Sequence, residues 1–303
     1  VGAVIITITG NYTGEVAALT AALVWAIASS IYAAVGKQVP PLSLNLAKGA
    51  IAIVLISLTL ALRSMNLPDV PVWAIALLLL SGAIGIGLGD TAFFTSLNCL
   101  GARRGLLLES LAPPITALIA LIALQEQLTV LAWAGIMLTM AGVAWVVVER
   151  TPNTSTFQFR PRQGIISGML AALGQASGAV LSRATLSGTD IDPLWSSLLR
   201  LLGGVLVLLV LITVQRQQHG LIVVARSRQL LTTVAIAAFL GTYLAIWLQQ
   251  TALKFTEAGI SQALGATSPL FVIPIALWTG DRVSLRAIIG MAIALSGVWL
   301  LFR

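Results

Sequence analysis

The chain has 303 residues, of which 58% are hydrophobic and only 9% charged, and its mean hydropathy is +1.00. A soluble domain carries about a quarter charged residues, so this balance excludes an ordinary water-soluble fold and indicates a polytopic membrane protein. The net charge of +7 comes from Lys and Arg in short segments between apolar runs, a pattern of membrane topology rather than of a nucleic-acid-binding face.

Runs of about 20 apolar residues are long enough to cross a bilayer as helices. Ten follow in order, at 15–35, 43–62, 72–97, 103–123, 129–148, 164–185, 194–214, 230–252, 258–278 and 284–302. The expected fold is therefore an all-α membrane protein of ten transmembrane helices. Connections are short except 149–163 and 215–229, which are polar and basic, and no segment remains for a soluble domain. Residues 1–13 form a short apolar, Thr-rich lead without a basic n-region and do not read as a signal peptide. Cys99 is the one cysteine, which rules out an intrachain disulfide and a Cys-based metal site. His219, the one histidine, reads as a solvated loop residue. No metal and no cofactor are expected.

The two halves of the chain resemble each other. Residues 126–147 (EQLTVLAWAGIMLTMAGVAWVV) align with 281–302 (DRVSLRAIIGMAIALSGVWLLF). This register superposes Gly135 on Gly290, Gly142 on Gly297, Val143 on Val298, Glu126 on Asp281 and Pro114 on Pro269. Residues 43–61 align with 195–213, placing Lys48 opposite Arg200, and 18–35 align more weakly with 167–184. The expected organisation is a first five-helix repeat over 1–150, a linker loop over 151–163 and a second repeat over 164–303. An odd number of spans per repeat makes the second insert upside down relative to the first. Inverted repeats of this kind are a transporter architecture, with the substrate site near the bilayer midplane between the halves.

Several stretches carry a family resemblance: GEVAALTAALVWA (14–26), GARRGLLLESLAPP (101–114), ALKFTEAGISQALGATSPLF (252–271) and the two G-x6-G-V endings at 135–143 and 290–298. Together they resemble the drug/metabolite transporter superfamily, in particular its ten-helix family of two EamA-type domains. The resemblance covers nearly the whole chain. It implies a secondary active transporter in the cell membrane that moves small polar metabolites, with export of amino acids the leading expectation. Similar members move drugs, nucleosides or sugar phosphates, so multidrug efflux is an alternative, as is a passive channel or facilitator. The expected partners are the small substrate, the lipid bilayer and protons as a coupling ion, in a monomer or homodimer. GxxxxGK[ST] is absent from the chain, so ATP is not expected to drive it. The spans contain no histidine and no clustered carboxylates for a metal-dependent transferase, and an intramembrane enzyme is not expected.

Most of the Lys and Arg lie at the loops after spans 1, 3, 5, 7 and 9, against Arg63, Arg183, Lys254 and Arg303 on the other side. The positive-inside rule places the first group in the cytoplasm and both termini outside. The family resemblance implies cytoplasmic termini, and the two readings conflict.

Candidate site residues are the polar groups within apolar spans, because such groups normally face a protein interior or a wet cavity. Asp90 follows a run of glycines (Gly82, Gly85, Gly87, Gly89) and has no acidic counterpart, since Ala245 occupies its place in the second half. It reads either as a site carboxylate or as a hydrogen-bond partner for a neighbouring helix. Glu109 lies about one and a half turns into span 4 and reads as a proton-titratable carboxyl or substrate-amine partner. Its alternative is an ion pair with Arg103, Arg104 or Lys48. The symmetric cations Lys48 and Arg200 can bind a carboxylate or phosphate, Arg200 through its bidentate fork. For Lys48, snorkelling to the nearer interface is the favoured reading.

Trp25 and Trp247 are candidate cavity walls, and Tyr32, Gln175 and Gln249 candidate polar contacts, with Asn98, Ser177, Gln250 and Gln262 as further polar positions. Glu15 and Glu257 open helices, where the dipole stabilises a carboxylate. Pro113, Pro114, Pro269 and Pro274 are expected to break or kink spans 4 and 9.

Overall fold

The computed structural model describes residues 12–36, 38–66, 69–100, 102–150, 160–215, 219–271 and 284–303. The first repeat contains α1 (Thr13–Val35), α2 (Pro41–Leu62), α3 (Val72–Leu100), α4 (Ala102–Glu109), α5 (Ala112–Ala123) and α6 (Val130–Arg150). The second contains α7 (Pro161–Gly188), α8 (Pro193–Val214), the short α9 (His219–Arg226), α10 (Arg228–Phe255), α11 (Ala258–Gly265) and α12 (Leu285–Leu301). Among the described residues there is no strand. Seven stretches among the described residues are long and apolar enough to cross a membrane: α2, α3, α4 with α5, α6, α7, α8 and α10. Helices α1 and α12 carry the shorter apolar stretches Thr13–Ser29 and Leu285–Leu301. The expected span at 258–278 starts as α11, turns at 266–267 and resumes as helix over 268–271. Pro274 and Asp281 lie outside the described residues.

Local chemistry sets the helix ends. Pro41, Pro161 and Pro193 open α2, α7 and α8, at positions where a missing N–H leaves nothing unpaired. Asp192, Ser227 and Ser284 cap α8, α10 and α12 through side-chain oxygens that accept from Leu194 N, Leu230 N and Ala287 N. Ser64 (φ 51°) and Gln125 (φ 56°) take left-handed conformations just past the ends of α2 and α5.

One segment differs from the sequence reading. The connection 215–229, read as a polar loop, contains α9, because Leu221 and Val224 give it an apolar side. Val224 is buried with Val35, Val39, Leu44 and Val234. Span 4 is split at Ser110 and Leu111, as the prolines led one to expect, and α5 begins with Pro113 and Pro114 in its first turn. Proline is tolerated there because the first helical N–H groups have no intrahelical acceptor. The turn at 266–267 in the second repeat corresponds to this break under the register that pairs Pro114 with Pro269.

The repeats pack through each other. α6 pairs with α12, α2 with α8, and α5 with α11; α3 lies against α7 and α8, while α10 lies against α1 and α2. The α6–α12 pair is antiparallel: Gly135 abuts Leu301, Gly142 abuts Ala294, and Gly290 abuts Trp145. Corresponding helices running in opposite directions are what an inverted repeat requires. A Cβ at Gly142 would strike the backbone nitrogen of Ala294, so the close approach depends on glycine. Small residues at such crossings take the place of the hydrophobic drive that lipid removes. The buried clusters draw on both repeats; one joins Ile136, Val143 and Val147 to Leu264, Ala294 and Leu301.

Candidate functional site

Helix α3 delivers the first site residue through an unusual turn. Residues Ala83–Gly89 (AIGIGLG) form a π-helical stretch that ends at Asp90. The wider i→i+5 turn is rare in proteins and frequent at functional sites. Phe239–Leu244 forms a second π-helical stretch in α10, at the place the repeat assigns to it. Gly85 and Gly89 face Gly174 and Gly178 of α7, and this close contact brings Asp90 against the opposite repeat. Gln175 Nε2 donates to Asp90 Oδ1 at 3.1 Å. Asp90 lies about 15 Å along the helix from the C-terminal end of α3, well inside the bilayer span.

Lys48 does not snorkel. Its side chain turns inward, the residue is 8% exposed, and its Nζ lies 3.6 Å from Asp90 Oδ2. The ammonium also sits 5.5 Å from the ring centroids of both Trp25 and Tyr32. A carboxylate and two π faces offset the desolvation that would otherwise drive a lysine to the interface. The two rings meet at a tilt, with centroids 6.1 Å apart, and Tyr32 is fixed from the other repeat by a 3.0 Å hydrogen bond between its hydroxyl and Thr242 Oγ1. Asn45, one turn before Lys48, is 1% exposed and lies beside the same carboxylate. Neither atom of its amide makes a hydrogen bond of proper geometry.

Arg200, the symmetry mate of Lys48, is 2% exposed. It donates from Nη1 to Ser182 Oγ at 3.3 Å, and Ser182 in turn meets Ser81 at 2.8 Å. Its guanidinium fills the space left by Gly85 and lies within electrostatic reach of Asp90. The two cations therefore approach one carboxylate from opposite repeats. Glu109, the last residue of α4, sits at the helix break with a buried Oε2 that has no hydrogen-bond partner. It too is within electrostatic reach of Asp90. Of the alternative ion pairs for Glu109, the one with Lys48 is not formed, since Asp90 holds that ammonium.

The comparisons with known proteins follow the same two-part layout. The model of the EamA-like transporter family matches residues 12–148 and again 162–303. The chain belongs to this family. It is a multi-pass membrane transporter of small solutes made of two repeats. Among curated proteins none matches the chain. A solved structure described only as "Crystal structure of protein" superposes with a TM-score of 0.75 at 15% identity, covering 96% of this chain and 98% of its own. That likeness speaks for the fold.

Other positions read from the sequence of this EamA-like transporter fall outside the Asp90 cluster. Trp247 packs 6.3 Å from Tyr243 and lies under the Arg63 guanidinium at 5.6 Å. Gln249 is half-buried and takes no part in the contacts of Asp90, and Gln250 is bonded to Ser196 Oγ at 2.8 Å. Glu15 lies in the first turn of α1 and Glu257 at the N-cap of α11, as expected, although Glu257 makes no side-chain cap. Glu126 does that work instead: its Oε2 accepts from Ala258 N at 3.0 Å, while its Oε1 takes a 2.6 Å bond from Arg183 Nε. Arg183 Nη1 also reaches the Leu253 and Lys254 carbonyls, at 2.9 Å each.

The sequence reading missed Asn45, Ser182, Thr242 and this Arg183–Glu126 clasp. Asn45 was within reach as an amide one turn from Lys48. The others are single polar residues whose importance arises only from the packing of the two repeats.

Proposed function

We propose that this protein is a secondary active transporter that exports small polar metabolites, amino acids first among them, across the cell membrane. Its substrate site is the mid-depth cluster of Asp90, Lys48, Gln175, Trp25 and Tyr32, with Arg200 and Glu109 at its edge. The observation that carries this reading is the Lys48–Asp90 pair, buried at bilayer depth and bonded through Gln175 to the inverted repeat. Intramembrane ionisable groups are costly, about 2.5 to 3.5 kcal/mol each on insertion scales, and where they occur they mark substrate and ion pathways. Transport proceeds by rocking one repeat against the other, with the π-helical turns and the breaks after Glu109 and Gly265 as the places where helices yield. Glu109 is the proton carrier, because its buried oxygen has no partner that would hold it ionised.

The test is counterflow in proteoliposomes with a panel of labelled amino acids, comparing the native chain with Asp90→Asn and Glu109→Gln. Accumulation that a pH gradient enhances only while Glu109 is intact supports the reading. Normal transport by both variants shows that the carboxylates are structural and that the site lies elsewhere.

A further inference from the structure

The surroundings of Lys48 Nζ have the composition of a ligand site. Two aromatic faces, Trp25 and Tyr32, lie 5.5 Å from it, and a carboxylate oxygen of Asp90 lies at 3.6 Å. The Asn45 amide beside that carboxylate has a carbonyl oxygen buried and unbonded, which leaves it free to accept an ammonium N–H. Aromatic walls closed by a carboxylate are the arrangement by which proteins recognise organic ammonium groups, through cation–π attraction and charge together. Trp25 is 38% exposed although it lies mid-helix, so its ring is not sealed inside the protein.

Resting on the transporter reading above, we infer that Trp25, Tyr32, Asn45 and Asp90 form an ammonium-recognition cage, occupied here by Lys48 as a tethered stand-in, and that the transported substrate presents a primary ammonium group that displaces it. Lys48 in this view is a competitor for the substrate and not its anchor. Two bonds across the repeats report on the exchange: Gln175 holds the Asp90 carboxylate and Thr242 holds the Tyr32 hydroxyl. A substrate ammonium that draws Asp90 or Tyr32 to a new position thus acts directly on the contact between the repeats.

The sign of one effect separates this inference from its rivals. The purified full-length protein in nanodiscs is titrated with n-butylammonium, n-butyrate or N-butylacetamide, and thermal unfolding midpoints are read against concentration. A tether holds its own ammonium at an effective concentration in the millimolar range or above. Lys48→Met removes that competitor and is expected to tighten butylammonium binding about tenfold. Asp90→Asn abolishes the shift, and butyrate and N-butylacetamide give none with any variant. Butyrate binding to the native chain that disappears in Lys48→Met makes Lys48 a carboxylate anchor and overturns the inference. So does weaker or absent butylammonium binding by folded Lys48→Met. Should Lys48→Met not fold, Trp25→Leu decides: a loss of butylammonium affinity of about tenfold is expected, and an unchanged affinity refutes the cage. The binding result stands apart from transport. Amino-acid counterflow without butylammonium binding removes the cage alone, and the converse removes the choice of substrate alone.

Discussion

Glu126→Ala tests whether the two repeats are clasped at the end of the molecule where α5, α7, α10 and α11 meet. The carboxylate makes two charge-assisted bonds at once, to Arg183 Nε at 2.6 Å and to Ala258 N at 3.0 Å, and both side chains of the ion pair are about one-seventh exposed. Removing one partner of a buried pair typically costs 3–5 kcal/mol, because the remaining charge is stranded. Arg183 keeps its bonds to the Leu253 and Lys254 carbonyls, which places the expected loss at the lower end, about 3 kcal/mol. At about 2–4 °C per kcal/mol for larger chains, the unfolding midpoint should fall by about 6–12 °C. Glu126→Gln retains an acceptor for Arg183 but not for Ala258 N as well, and should lose roughly half as much. The assay is thermal unfolding in detergent of Glu126→Ala, Arg183→Met and the double variant. A coupling energy of about 1–3 kcal/mol is expected for contacting groups. Additive losses would refute the argument, since the two side chains would then contribute independently.

Three further outcomes follow from the geometry. Gly82→Ala places a methyl against the Arg200 carbonyl oxygen, a backbone atom that cannot rotate away. Overpacking costs typically 1–3 kcal/mol, and a fall of several degrees in the midpoint is expected, with native stability counting against the α3–α8 crossing. Tyr243→Phe deletes a 3.0 Å bond between its hydroxyl and Thr59 Oγ1; such interhelical bonds average about 0.6 kcal/mol in membranes, so the midpoint should move by about 1–2 °C. Asp90→Asn leaves the Lys48 ammonium without its counter-charge, and counterflow by this variant is expected to fall at least about tenfold at the native substrate concentration, a barrier change of about 1.4 kcal/mol.

Hydropathy made the spans legible, because the bilayer imposes one length on every crossing helix. The repeat was legible through Gly135, Gly142, Gly290 and Gly297, whose spacing is preserved by the antiparallel α6–α12 contact they permit. The site was legible only as a set of intramembrane polar residues. Asp90 and Lys48 stood out by cost, yet Lys48 was read as snorkelling because its position near a helix end allows it. What overrides that preference is the joint presence of Asp90, Trp25 and Tyr32, three residues from two other helices. The π-helical turn at Ala83–Gly89 was equally hidden: its glycines suggested a close helix contact, and the wider turn that aims Asp90 is a property of the backbone.

The scaffold is symmetric and the chemistry is not. The π-helical turns recur in α3 and α10, and the helix breaks recur after Glu109 and Gly265. A two-fold relation of this kind supplies two equivalent sets of helix breaks, which is what the proposed rocking between opposite openings needs. At the buried carboxylates the relation fails. In the central cluster Asp90 corresponds to Ala245 and Glu109 to Leu264, while Lys48 and Arg200 remain a pair. A symmetric set of four carboxylates and two cations would place like charges close together in a low-dielectric core, where each added charge is costly. With a single carboxylate at the centre, both cations converge on Asp90, one by direct contact and one at longer range. Under the proposed alternating access, the repeats exchange roles around a site that stays the same, and the substrate meets one recognition surface whichever way the molecule opens.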